Sequence, residues 1–339
     1  MKALVYTAPN QVLYRDEPDP LPVAGDVLIR IEAAGICGSD MHAYHGHDPR
    51  RVPPMILGHE LAGRVVAGPG IGKRVTVNPL ITCGVCDYCV TGRNNLCANR
   101  TMIGMTRPGG FAELMTIPVA SIIDVPQDMA PSKVALTEPA ATALHAMNLA
   151  ARALTRPLSE ARVLVIGGGA VGLLTALLLA SYGCRGTELA ETNPLRRRSV
   201  ADTGAARAFD PASSSVRPDS FDLVVDAVGA RATRNSALAA VKAGGVILHI
   251  GLMDWASEID MRRLTLAEIT LIGTYTYSTA DLRATVRALH EGVFGDLAWV
   301  DVRSMADGAA AFADLDQGRS ASAKIVLQPW WEQERTQLQ

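Results

Sequence analysis

Residues 162–182 read Arg-Val-Leu-Val-Ile-Gly-Gly-Gly-Ala-Val-Gly-Leu-Leu-Thr-Ala-Leu-Leu-Leu-Ala-Ser-Tyr. Arg162–Ile166 is an almost unbroken apolar run, as expected of a strand covered on both faces. It enters Gly167-x-Gly169-x-x-Gly172 and then a helix over 171–182, in which Gly172, Ala176 and Ala180 recur at every fourth residue and leave one face able to pack closely on a sheet. A glycine fingerprint between strand and helix is specific in a way that the bare pattern is not. The glycines let backbone approach a pyrophosphate, and the helix N-terminus supplies partial positive charge. Gly167, Gly169, Ala170, Val171 and Gly172 are therefore candidate dinucleotide contacts. The next strand, 187–190, ends at Glu191, about 20 positions past the last glycine, where a ribose hydroxyl is held. An exposed strand-end charge is the plainer alternative. The arginines at 196–198 read as a helix face, or as groups able to hold a 2′-phosphate. Further strands at 222–226, 246–250 and 270–274 are each followed by a turn, and the pattern predicts an α/β, doubly wound parallel sheet.

Outward from this half, the rest of the 339 residues has a different texture. Residues 2–6, 11–15 and 26–33 read as short strands between Pro, Gly and Asp turns, and 61–80 and 111–125 repeat the pattern, which predicts a β-rich, barrel-like domain. The 32 basic and 34 acidic side chains nearly cancel, which argues against nucleic acid or an anionic membrane as the main partner. The longest uncharged apolar stretch, 170–182, is well short of the roughly 20 residues of a spanning helix. No signal-peptide core forms before Pro9. These features predict a cytoplasmic protein.

Two groups of residues carry metal chemistry. Cys37-Gly38-Ser39-Asp40-Met41-His42, with Gly58-His59-Glu60, offers a thiolate, an imidazole and a carboxylate. Three such ligands leave a fourth zinc position open, the pattern of a catalytic site. A buried cysteine with an unrelated surface His-Glu pair is the alternative. Cys83-x₂-Cys86-x₂-Cys89-x₇-Cys97 offers four thiolates, which saturate a tetrahedral zinc; an iron–sulfur cluster also accepts four cysteines. Of the six cysteines only Cys184 stands outside these groups. Ser39 can accept a proton and pass it on through its hydroxyl, and His42 titrates in the range needed to receive it. His45 and His47 read as loop residues.

The order and spacing of the Cys37, His59 and Glu60 group, the four-cysteine run, Glu138-Pro139 and the glycine fingerprint resemble the zinc-dependent medium-chain dehydrogenase/reductase family, especially its polyol (sorbitol-type) and threonine dehydrogenase branches. The resemblance covers nearly the whole chain. It implies a GroES-like catalytic domain from 1–147 and 287–339 with a structural zinc lobe at 83–97, and a Rossmann domain from 148–286. It also implies catalytic and structural zinc, NAD, a small-molecule alcohol or ketone substrate, and a homo-oligomer (dimer or tetramer). The catalytic metal falls to Cys37, His59 and Glu60 or Glu138. Arg196 corresponds to a position flanking the adenosine, and Val228, Ile250, Gly251, Leu252, Thr274, Tyr275 and Thr276 to positions along the cofactor. Tyr44, Glu138 and Tyr277 are expected near the substrate. Related polyol enzymes carry an Arg-Tyr pair where this chain has Thr276 and Tyr277, and a Tyr where it has Ala43, which predicts a substrate other than sorbitol. The residues at 331–339 read as a loose tail.

Overall fold

The structure, a computed structural model, describes residues 1–330; the tail expected at 331–339 lies outside the described residues. Six parallel strands form the nucleotide half, in the spatial order Arg207–Phe209, Gly186–Ala190, Arg162–Ile166, Phe221–Asp226, Val241–His249, Thr270–Gly273. The chain starts in the middle, winds to one edge, then returns and winds to the other. That reversal leaves a crevice beyond the carboxyl ends of Arg162–Ile166 and Phe221–Asp226, the usual ligand position of an open α/β sheet. All six residues of Phe221–Asp226 are buried, which explains its non-alternating sequence. The edge strand Arg207–Phe209 was not predicted; three residues at a sheet edge leave no periodic signal. Val241–His249 starts five residues earlier than the predicted strand, with Gly244 and Gly245 inside it beside a register shift.

The helix Ala170–Ser181 is apolar nearly all round because sheet and neighbouring helix cover it together. Leu173, Leu174, Leu178 and Leu179 are all buried in the main core, each contributing roughly 1.5–3 kcal/mol. Gly172 is required by contact: a Cβ there would stand 1.9 Å from the Gly167 carbonyl oxygen. The helix Thr137–Ala153 packs through Ala140, Ala143, Ala146, Met147 and Ala150 into the same cluster. That cluster also includes Ala33, Ala62 and Val326 of the β-rich half, so one apolar core joins the two halves.

In the β-rich half, the strand order is Ile122–Asp124, Arg74–Val77, Glu60–Ala67, Asp26–Gly35, Lys324–Gln328, Val300–Ser304. Lys324–Gln328 pairs antiparallel with Asp26–Gly35, Val326 opposite Gly35. The end of the chain therefore returns to its beginning, and carries Lys324 to the strand start that bears Glu60.

Candidate functional site

Cys37 ends the turn after Asp26–Gly35 and caps the short helix Gly38–Tyr44. Its backbone N–H donates to Asp40 Oδ2 at 3.0 Å. His59 and Glu60 enter from the start of Glu60–Ala67, and Gly35 leaves room for them: a Cβ on it would lie 2.2 Å from Glu60 Oε2. Ligand atoms of Cys37, His59 and Glu60 all lie within 4.8 Å of one another. Asp40, fully buried, stands 3.6 Å from His59 Nδ1, which leaves Nε2 as the ring's ligand atom, the usual carboxylate–histidine–metal arrangement. Asp40 Oδ1 and His59 Nδ1 are buried without hydrogen-bond partners. Burial opposes a charge on His59, yet Asp40 and Cys37 raise its pKa well above the ordinary value. The imidazole must release that proton when it takes a metal. A thiolate, an imidazole and a carboxylate converging in this way fit a zinc ion with an open position.

Two carboxylates meet here in different surroundings. Both oxygens of Glu60 accept from Lys324 Nζ, at 2.6 and 2.7 Å, and that ammonium also donates to the Ile36 carbonyl. Glu138 lies in the first turn of Thr137–Ala153 and outside the three-ligand cluster. Its Oε1 accepts from the Tyr277 hydroxyl at 2.6 Å. Burial, and after it the charge of Glu60 acting against His59, Tyr277 and Lys324, pushes the Glu138 pKa up to about 6.

Ser39 is held by Arg51, a buried arginine that donates to the Ser39 carbonyl at 2.8 Å and its Oγ at 3.2 Å, to Asp48 and to the Gly104 carbonyl. The Oγ thus accepts from a cation and keeps its own proton free to donate. His42 is half-buried, and burial first, then His47 and His45, lowers its pKa. His45 turns away to Asp316 at 2.7 Å. Tyr44 and Tyr277, both expected near substrate, differ from that expectation. The Tyr44 ring packs on Phe312 in the core, and Tyr277 is fully buried with its hydroxyl on Glu138, so neither ring faces an open space.

The four cysteines of the lobe converge. Cys86 and Cys89 Sγ lie 3.5 Å apart, Cys97 and Cys83 3.6 Å, and Cys83 and Cys89 3.9 Å. Zn–S bonds of ~2.3 Å in a tetrahedron require S···S edges of about 3.8 Å, so these sulfurs stand near the corners a closed zinc site needs. The Cys83 pKa falls to about 6, chiefly because the backbone N–H groups of Val85 and Cys86 point at its sulfur.

At the crevice of the parallel sheet, Glu191 is buried and accepts from the Gly168 N–H at 2.8 Å and the Asn193 N–H at 2.7 Å. Arg196 reaches the same carboxylate at 3.6 Å and keeps a buried Nε with no partner. Arg197 instead binds the Glu191 and Thr192 carbonyls and Asp210. Gly167 and Gly169 lie in the turn beneath, and Ala170, Val171 and Gly172 open the helix Ala170–Ser181. The N–H groups of Ile250 and Gly251 donate to the Asp226 carbonyl, which sets them beside Val228, and Thr274 pairs with the His249 carbonyl. Leu252 is exposed. The Thr274 and Thr276 hydroxyls are buried without partners, groups that a polar ligand in this crevice would satisfy. Sequence reasoning missed Asp40, Arg51 and Lys324. For Lys324 a signal existed: one cation in the otherwise apolar closing strand.

A doubly wound sheet, a β-rich half and two donor clusters, one open and one closed, define a two-domain metal-dependent dehydrogenase. The family model for the alcohol dehydrogenase GroES-like domain matches residues 23–127, and that for zinc-binding dehydrogenases matches 170–291. The chain is 31% identical over 312 residues to L-galactonate-5-dehydrogenase of Escherichia coli (strain K12), covering 86% of this chain and 88% of that one. It is 29% identical over 353 residues to L-threonine 3-dehydrogenase of Mesorhizobium japonicum (strain LMG 29417 / CECT 9101 / MAFF 303099), covering 97% and 99%. A crystal structure of a protein described as a zinc-binding dehydrogenase, from Sinorhizobium meliloti 1021 and bound to NADP, superposes with a TM-score of 0.86 at 28% identity, covering 97% and 99%. The chain belongs to the zinc-dependent medium-chain dehydrogenase family, and is an oxidoreductase. Among the described residues no helix is long and apolar enough to cross a membrane.

Proposed function

We propose that the chain interconverts a secondary alcohol of a polyol or sugar-derived substrate and its ketone, with NAD as hydride acceptor. The observation that carries this is the convergence of Cys37, His59 and Glu60 within 4.8 Å, beside a serine held by a buried arginine. When bound, zinc supplies Lewis acidity toward the substrate oxygen, and the nicotinamide takes or gives the hydride. Cys37, His59 and Glu60, or Glu138 in its place, hold the metal. Ser39 Oγ relays the hydroxyl proton: it accepts that proton as it gives its own to His42, which passes it toward solvent, while Arg51, donating to the same oxygen, steadies the negative charge that develops there during the transfer. Cys83, Cys86, Cys89 and Cys97 hold the structural metal. Among the described residues, the catalytic domain takes in 1–147 and 287–330, and the cofactor domain 148–286. Glu191 supports NAD over NADP, since its buried carboxylate stands where a 2′-phosphate would meet like charge.

Six free cysteines suit a reducing, cytoplasmic setting. The exposed Leu252, Met253 and Trp255, just after the strand Val241–His249, support self-association. The relative named L-threonine 3-dehydrogenase favours a second reading, an amino alcohol as substrate. One panel tests both: kcat/KM by NADH absorbance for sorbitol, xylitol, shorter diols, aldonates and L-threonine. A sugar-derived substrate other than sorbitol ranks first on our reading. L-Threonine ranking first would establish the second, and sorbitol ranking first would refute the meaning given to Thr276 and Ala43.

A further inference from the structure

The four-cysteine lobe and the loop after the last parallel strand are far apart in sequence, yet they are joined by side chains. Asn94 and Asn95, both buried, sit just before Cys97, in the turn Asn94–Leu96 whose Asn94 carbonyl accepts the Cys97 N–H. Asn95 Nδ2 donates to the Tyr275 carbonyl at 2.9 Å. Asn94 Oδ1 accepts the Thr279 N–H at 3.2 Å, at the start of the helix Thr279–His290. Arg100 donates through Nη1 to the Cys97 carbonyl and lays its guanidinium 4.7 Å from the centre of the Tyr275 ring. Asn78 Nδ2 adds a bond to Thr279 Oγ1. Between these grips lie Thr276, whose φ of 48° is rarely adopted by a threonine, and Tyr277, whose hydroxyl is fixed on Glu138. A β-branched residue in that conformation persists where its surroundings hold it.

We propose that Asn95 and Arg100 are positioning residues: through them the lobe clasps residues 275–279 and sets the crevice wall that faces the nicotinamide half of the cofactor. The geometry fixes which half. The glycine turn after Arg162–Ile166 takes the pyrophosphate and Glu191 lies on one side of it, whereas Thr274 follows the outermost strand on the other side. Residues clasped there bear on the half of the dinucleotide remote from Glu191. The inference rests on the nicotinamide reading above.

The test compares two nucleotides on the zinc-replete full chain. Asn95→Asp removes the donor at constant size, and Arg100→Ala removes an exposed side chain that joins the Cys97 carbonyl to the Tyr275 ring and leaves all four cysteines in place. Dissociation constants are measured by fluorescence for the reduced cofactor that the wild type binds more tightly, NADH or NADPH, and by calorimetry for ADP-ribose, which lacks the nicotinamide. Zinc per chain is measured alongside. The expected result is a Kd for the reduced cofactor raised at least fivefold in Asn95→Asp and at least twofold in Arg100→Ala, with ADP-ribose within twofold of wild type and zinc content unchanged. Equal weakening of both nucleotides, or no weakening, overturns the proposal. So does zinc loss in Asn95→Asp with an unaffected Arg100→Ala, which would confine Asn95 to folding the lobe. A wild type that binds ADP-ribose but neither reduced cofactor would overturn the nicotinamide reading itself, and this inference with it.

Discussion

Replacing Lys324 by Met should expose how the open metal site is balanced. Lys324 is 2% exposed and Glu60 fully buried, and the ammonium meets both carboxylate oxygens at 2.6 and 2.7 Å. At 2.7 Å and an effective dielectric of ~20, the attraction is about 6 kcal/mol. Dehydrating each ion costs several kcal/mol, so the pair is worth little net. The burial of Lys324 works against its charge, but Glu60 and then Cys37 still raise its pKa. A raised lysine contributes stability that is complete below the unfolded pKa of ~10.4 and is lost only as pH rises through the folded value, so the pair is intact at neutral pH. Lys324→Met keeps an unbranched side chain one atom shorter and strands Glu60 as an unpaired buried anion, a loss of about 3–5 kcal/mol.

The assay is urea unfolding at pH 7 of metal-stripped and zinc-loaded protein. The stripped Lys324→Met variant should lose the full amount. Pairing it with Glu60→Gln should recover most of the loss, because no charge is then left unpaired. Zinc-loaded Lys324→Met should lose less than the stripped form, since a cation beside Glu60 replaces the missing ammonium. By linkage the variant then binds zinc more tightly, tenfold for each ~1.4 kcal/mol of the difference. A loss below about 1 kcal/mol in the stripped protein, the range of an exposed pair, would refute the reasoning, as would a double variant no more stable than the single one.

Cys89→Ser should lower zinc by one per chain and reduce stability, whereas Cys37→Ser should abolish turnover and leave the unfolding midpoint nearly unchanged; metal analysis of chelator-free protein and thermal melts decide between these roles. Steady-state kinetics with both cofactors should favour NAD, and Glu191→Ala should narrow that preference; a higher kcat/KM with NADP in the wild type would show that Arg196 outweighs Glu191. Asp281, although its burial acts the other way, is held at about 2 by hydrogen bonds from His145 and Ser278. Its contribution is complete above the unfolded pKa of ~3.9 and lost as pH falls toward 2, so Asp281→Asn should cost about 1–2 kcal/mol at pH 6, after allowance for solvent screening, and flatten the acid limb of a stability–pH curve.

What was legible in the sequence had a local cause. The strand Arg162–Ile166, the glycine turn and the helix after it are specified within about 20 residues, because a buried parallel strand must be apolar and a backbone that approaches phosphate must lack side chains. The four cysteines are legible for the same reason: a closed metal site draws its ligands from one short loop. The open site is different. Its ligands were visible, but its electrostatics depend on residues brought in by topology. Lys324 reaches Glu60 across 264 positions because the last strand returns to pair with Asp26–Gly35. The resemblance implies that Tyr277 lies near the substrate, yet its hydroxyl is spent on Glu138 because Thr137–Ala153 brings that carboxylate beneath the loop. Arg50 and Arg51 are adjacent in sequence, and only the fold distinguishes them: Arg50 stays half in solvent on Asp48, while Arg51 is drawn inward to Ser39. These three residues have no motif because none touches the metal directly. They act by adding or removing one charge or one hydrogen bond at a ligand or at the proton-accepting serine. Such roles are set by burial and distance, which a linear chain does not display. The same physics acts on Glu138, whose near partner is a phenol and whose pKa burial pushes up to about 6, while Lys324 holds its ammonium against Glu60.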